Sequence, residues 1–514
     1  MKRRGFVVLF LVLPFVSHSQ VSFVCYTNPK VEQTEDYQKG NVYQKDFLLF
    51  MDAVKSAHPY FAGFKDSVAW EKRWREGFRA AGKCVSLSDL EGCMQRILSL
   101  LHDSHSTVIF SDSLGKRYPI YLFFDSTGVF LYGASQCGLK QYLGKRVVKI
   151  DGKPVQKVVE SFRPLVSYAN ETDFIRQLPQ AMQSPALWKA SRLTKNGRLH
   201  ILFSDGKEVP LEPVAKERFS LAWMRSAKMG HLVRFDRSEP FNYRLYEDKG
   251  ICFFQFNICE DQSSYRQQRA NGQFKSYDDA EFEEAISQIP VFSDFLEEMF
   301  SDIRVNDIHT LVVDIRENGG GNSLLCEQLM SWLMPIEELR TPHSTIRLSE
   351  LWEQQYPVLA EKYRKMLGNG YVLGNTYRSE DLLLSGDNTE SRCFSMNTNT
   401  ENIFKGDVVF VMDEKTYSSA GMLLTMAADN HIGRIIGGKS AFLPCDYGDV
   451  LAFSLPNTGV RVCLSHKFFT RPDSQQCADS CMMPDVYIPT RWDVLMSGVD
   501  VCWEWVLRKY GTKK

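Results

Sequence analysis

The chain lacks an excess of either charge. Its 61 Lys and Arg face 62 Asp and Glu, a formal charge of −1, which gives no electrostatic footing for a nucleic-acid partner. Past the N-terminus no run is long and apolar enough to span a bilayer. There is no internal repeat and no low-complexity segment, which excludes solenoids and disordered tracts. No Gly-Lys-Ser/Thr follows the glycine run at 319–321; Asn322-Ser323 stands there instead, so a phosphate loop is not indicated. His102 and His105 have no Glu arranged between them as in His-Glu-x-x-His, so zinc is not expected. No Gly-x-Ser-x-Gly surrounds Ser418, which argues against an α/β-hydrolase elbow. Nothing in the sequence asks for a metal or another cofactor.

What is present suits a large globular protein. The 514 residues are 44% hydrophobic and 24% charged, enough for two or three domains with substantial cores. Lys2-Arg3-Arg4, the apolar run Gly5 to Val16 and the small residues of Ser17-His18-Ser19 read as a signal peptide, residues 1–19. That predicts an exported protein: periplasmic, cell-surface or secreted. Thirteen cysteines leave at least one free or paired between chains. Cys252 and Cys463 sit in apolar runs and read as small buried hydrophobes. Cys477-Ala-Asp-Ser-Cys481 offers a local disulfide.

Residues 20–105 read as helical. Phe47, Phe50, Met51 and Val54 recur at helical spacing and His58-Pro59 ends that helix. Trp70, Trp74 and Phe78 form a second stripe. Ser88-Asp-Leu-Glu91 is a capping box opening a third helix. From 106 to 215 short β-rich runs alternate with turn signals such as Asp151-Gly152 and Asp205-Gly206, with a helix expected at Val155–Arg163. Beyond about 248 the pattern is α/β: Gly250–Phe256, His309–Ile315, Val408–Met412 and Arg434–Ile436 are apolar strands separated by helical stretches.

Three segments carry chemistry. Thr416-Tyr-Ser-Ser-Ala-Gly421 lies between a buried strand and a helical run. A serine there is exposed at a sheet end, beside helix-start N–H groups that could stabilise an oxyanion. Leu311-Val-Val-Asp-Ile-Arg-Glu-Asn-Gly-Gly-Gly321 runs a strand into glycines that let backbone N–H groups approach a ligand. Leu101-His-Asp-Ser-His-Ser-Thr107 closes the helical region, with His105 the candidate base and His102 a structural residue.

Together these segments resemble the C-terminal processing and tricorn-type serine peptidases. Asp-Ile-Arg-Glu-Asn-Gly-Gly-Gly (314–321) is similar to that family's glycine signature, and Thr-Tyr-Ser-Ser-Ala (416–420) to its nucleophile turn. Asp429-Asn430, Ile435-Ile-Gly437, Leu455–Gly459, Phe469–Asp473 and Pro484-Asp485 follow in the family's order. Asp103-Ser-His-Ser resembles the His box ahead of a PDZ-like module, and Gly144–Gly152 a strand of that module. The resemblance implies an α+β multidomain chain. It would have an N-terminal helical domain (20–105), a PDZ-like module (106–215) and an α/β, crotonase-like ββα peptidase core (216–514). It also implies a peptide or protein substrate. Ser418 is then the nucleophile, nineteen residues before Gly437, with Ser419 its rival. His105 is the general base, and the N–H groups of Ser419 and of Gly320 or Gly321 form the oxyanion hole.

Several positions depart from the family pattern. Leu443 stands where the processing branch has its catalytic lysine, and Lys439 is out of register, which favours the Ser/His branch. Gly421 and Gly438 replace acids, and Ala478 stands where an orienting Glu is expected, leaving Asp479 as the neighbouring candidate. An alternative consistent with these departures is a catalytically weak or silent peptide-binding protein on the same fold.

Overall fold

The computed structural model describes residues 23–63, 67–111, 115–135, 137–194, 197–215, 219–224, 238–270, 274, 277–382, 395–478 and 480–511. The expected signal peptide and Asp479 lie outside them. Among the described residues no helix is long and apolar enough to cross a membrane.

The architecture is mixed α/β. One six-stranded sheet is ordered Phe241–Tyr246, Ile251–Phe256, Thr310–Asp314, Asp407–Met412, Arg434–Gly437, Val486–Tyr487. Only the first pair is antiparallel. Strands buried on both faces read as unbroken apolar runs, which is why Ile-Cys-Phe-Phe-Gln-Phe and Thr-Leu-Val-Val-Asp are buried throughout. Alternate residues serve opposite faces. Cys252, Phe254, Leu311, Val313 and Phe410 pack with helices Phe292–Val305, Ser323–Ser331 and Ser419–Asp429. Ile251, Phe253, Val312, Val409 and Ile436 meet Trp503 and Val506 of the last helix, Val501–Tyr510.

The parallel direction brings three loops together at one edge of this sheet. They follow the strands ending at Phe256, Asp314 and Met412, and the C-terminal edge is where open α/β sheets place their sites.

A second sheet runs Val24–Cys25, Asp446–Ser454, Arg461–Thr470, His343–Arg347, Thr376–Arg378, with Thr107–Ile109 also paired to Arg461–Thr470. The hairpin 446–470 closes at Leu455–Gly459, where the Asp46 carboxylate accepts hydrogen bonds from Asn457 and Thr458. One apolar core joins helix Val42–Ala57, helix Leu87–Leu98, the middle segment and this second sheet.

Some expectations need correction. The third helix starts at Leu87 behind Ser86, not at a Ser88 capping box, and Ser86 spends its hydroxyl on the Asp89 carboxylate (2.7 Å). Helices Glu171–Ala181 and Pro185–Ala190 lie in the middle segment besides the expected one, Val155–Phe162. Pro179 inside the first conceals it from a periodicity reading, since proline normally ends a helix. Cys477 is bonded to Cys445, not to Cys481, which keeps a free thiol.

Candidate active site

The strand Asp407–Met412 ends in a turn that Asp413 organises. Its carboxylate accepts the backbone N–H groups of Glu317, Lys415 and Thr416 at 2.9–3.1 Å. The Thr416 hydroxyl donates to the Ile315 carbonyl (2.9 Å), and Tyr417 N–H donates to the Asn318 carbonyl (2.9 Å). The serine turn and the glycine loop are therefore one braced unit. Asn318 stiffens the second half. Its amide donates to the Phe256 carbonyl (3.0 Å) and its side-chain oxygen accepts Gly320 N–H (2.9 Å).

Ser418 lies at φ 53°, ψ −126°, immediately before the helix Ser419–Asp429. A non-glycine residue held there is strained by the order of 1–3 kcal/mol and marks an over-determined site. Gly320 faces it: a Cβ on Gly320 would come within 2.7 Å of Ser418 Cβ and 2.8 Å of Ser419 N. Glycine there is a requirement of close approach, at φ 101°.

The two serines differ. Ser419 donates its hydroxyl to the Gly321 carbonyl (2.6 Å) and is buried. Ser418 is only half-buried, and its hydroxyl makes no hydrogen bond among the described residues. Of the three expected oxyanion donors, Gly320 N–H is already given to Asn318. The N–H groups of Gly321 and Ser419 carry no protein acceptor among the described residues.

His105 is set by the strand Thr107–Ile109, whose pairing with Arg461–Cys463 carries it against the second sheet. Its backbone N–H donates to Asp103 Oδ1 (2.9 Å), and its Nδ1 lies 3.6 Å from the same oxygen. Asp103 is fully buried and also accepts His58 Nε2 (3.0 Å) and the Ser106 hydroxyl. Burial alone would raise its carboxyl, but hydrogen bonds from His105 and His58 hold it well below the usual range. Burial works against charging His105; the Asp103 carboxylate beside it, then Asp446 and Asp173, outweigh it and raise the imidazole above its ordinary value.

His105 and Ser418 share no direct hydrogen bond among the described residues. The group between their segments is Tyr417, whose hydroxyl lies 3.3 Å from His105 Nδ1 and 3.3 Å from Asp446 Oδ2, and bonds to Ser104. Burial pushes the Asp446 carboxyl up to about 8, with His105 opposing. Neither Tyr417 nor Asp446 was singled out by sequence reasoning, although Tyr417 sits inside the serine motif. His102 is exposed and edge-on to Tyr168 at 5.8 Å, and Lys439 lies over the Tyr487 ring at 5.8 Å.

The departure at Gly421 has a steric cause, while Gly438 meets only a movable side-chain end. A Cβ on Gly421 would strike the Phe442 ring, and one on Gly438 would come within 2.7 Å of Glu414 Oε1. Glu414 is half-buried, its carboxyl pushed up to about 7 by desolvation. No cluster of three or more His, Cys, Asp or Glu able to hold a metal occurs among the described residues.

A strained serine elbow against a glycine loop, with a half-buried histidine nearby, is an arrangement suited to a hydrolase. Residues 285–486, which hold that elbow and loop, match the model of peptidase family S41. Over that part the chain resembles this family, and it is a serine-type peptidase. Two solved structures, of mature CPAF and of mature CPAF complexed with lactacystin, share its fold at 14% and 15% identity and TM-scores of 0.60 and 0.61. Each alignment covers 91% of this chain and 97% of the other. No curated protein matches the chain.

Proposed function

We propose that the chain is an exported serine endopeptidase with Ser418 as nucleophile and His105 as general base. Ser418 Oγ attacks a peptide carbonyl as its proton passes to His105 Nε2. The C–N bond then breaks, and His105 returns the proton to the leaving amine. Water repeats the sequence on the acyl-enzyme, releasing the acid and restoring Ser418. The N–H groups of Gly321 and Ser419 hold the oxyanion. The observation that carries this reading is the elbow at Ser418, with an unengaged hydroxyl opposite Gly320.

His105 Nε2 makes no hydrogen bond to the described residues, so this nitrogen is available to the serine proton while Nδ1 faces the protein. From the sequence, Asp479 is the acid expected to orient His105. Export follows from the signal peptide at 1–19. The segment 106–215, PDZ-like by resemblance, would take an extended peptide or chain terminus by strand addition.

Labelling with a serine-directed fluorophosphonate tests the assignment. Wild type should label and Ser418→Ala should not. Full labelling of Ser418→Ala would refute the choice and point to Ser419. Peptide-library cleavage by the two proteins side by side would then report the substrate preference.

A further inference from the structure

Tyr417 is the member of the serine motif to which the proposed reaction gives no role, yet it is among the most closely engaged side chains in the site. It is 4% exposed. Its ring lies 5.1 Å from that of His105, and the Arg176 guanidinium covers it at 4.4 Å. Arg176 is itself held by Asp173. The hydroxyl has three partners, Ser104, His105 Nδ1 and Asp446 Oδ2.

We propose that Tyr417 is a positioning residue for the peptidase reaction, its hydroxyl linking His105 Nδ1 to the Asp446 carboxyl. The acid that steadies the histidine is then reached through a tyrosine. This rests on the reading of His105 as general base.

Valence supports the arrangement. A base that takes a proton at Nε2 must carry its own proton on Nδ1, and that proton needs an acceptor. Asp103 Oδ1, at 3.6 Å, is beyond hydrogen-bonding distance, and Asp103 is already engaged by His58, Ser106 and the His105 backbone. Tyr417 Oη, at 3.3 Å, is within it. Nδ1–H donates to Tyr417 Oη, Ser104 donates to the same oxygen, and Tyr417 donates its one proton to Asp446 Oδ2. Each group then uses what it has, and His105 is fixed in the tautomer that leaves Nε2 bare. When the serine proton arrives, the new imidazolium faces Asp103, Asp446, Asp173 and Asp449, with Arg176 over the tyrosine ring as the opposing cation. Lys467 and His466 face Asp449.

The test is steady-state kinetics across pH on the purified mature chain, comparing Tyr417→Phe, Asp446→Asn and Asp479→Asn with wild type. Tyr417→Phe should lower kcat by about 10- to 100-fold, the range typical of lost supporting hydrogen bonds, with KM unchanged. It should also move the acidic limb of the kcat/KM profile to lower pH, because the imidazolium loses its Nδ1 acceptor. Asp446→Asn should move the limb the same way, because a charged His105 favours ionisation of Asp446 and an amide cannot ionise in answer. Wild-type kcat in Tyr417→Phe overturns the proposal. So does a loss of kcat with an unmoved limb, or a limb shift seen only in Asp479→Asn. If Tyr417→Phe does not fold, judged by its melting transition, Asp446→Asn decides by the same criteria. Ser418→Ala and His105→Ala separate the two levels: retained cleavage in either overturns the reaction assignment itself. Loss in both beside an unaffected Tyr417→Phe overturns only the bridge.

Discussion

At the scale of residues, the site depends on how burial and partners divide between two ionisable groups. Desolvation alone would keep His105 neutral, yet Asp103, Asp446 and Asp173 raise its proton affinity. A general base works unprotonated. Activity should therefore rise with pH through a pKa above the ordinary imidazole value of about 6.5, read as the acidic limb of kcat/KM. A limb at or below that value would contradict the electrostatics described. The stability contributions run in opposite senses. Asp103, depressed in the folded state, stabilises the fold above its unfolded pKa, and this is lost as pH falls through the folded value. His105, raised, contributes below its unfolded pKa, and this is lost as pH rises through the folded one. The sequence made the His box and the serine turn legible because each is a contiguous run of suitable residue types. It did not reveal Asp446, because a lone Asp before Tyr-Gly has no local signature. Only the register that sets Asp446 opposite Phe469, on the strand that also pairs with Thr107–Ile109, brings it near His105.

At the scale of elements, the helix Ser419–Asp429 is shaped to lie beneath the site. Gly421 in its first turn lets the Phe442 ring press against the backbone. Alanine is a better helix former than glycine by roughly 1 kcal/mol, so a purely local view predicts that Gly421→Ala stabilises. The packing predicts the reverse: a loss of about 1–3 kcal/mol from overpacking, measured by urea unfolding. Most of that loss should vanish in a Phe442→Ala background, a coupling that a double-mutant cycle would detect. The parallel strands were legible because burial on both faces leaves no polar alternation to confuse the period. The hairpin Asp446–Ser454 and Arg461–Thr470 was less so. Its turn, Leu455-Pro-Asn-Thr-Gly459, was noticed only for its resemblance, and its strands mix charged with apolar residues because they are only partly buried. Helix Glu171–Ala181 was hidden by Pro179, yet it supplies Asp173 and Arg176 against Tyr417.

At the scale of the whole molecule, the glycine signature also ties down the C-terminus. Arg316 bonds Asp314, at the end of its strand, and Asp500, which caps the last helix, at 2.7–3.0 Å. All three are buried or nearly so. Removing one member of a buried ionic group leaves the others uncompensated and costs about 3–5 kcal/mol. Arg316→Met should lose that much in chemical denaturation. Hydrogen exchange in residues 501–510 should accelerate before the central strands respond; uniform acceleration would show that the last helix is not the part held. The strand Thr107–Ile109 has a different consequence. It follows His105 directly, and its hydrogen-bonding partner is Arg461–Cys463, more than three hundred residues later. During synthesis the histidine and the serine are both made well before the segment that seats the histidine. A chain emerging from the ribosome thus carries an unassembled site until almost its full length has been made.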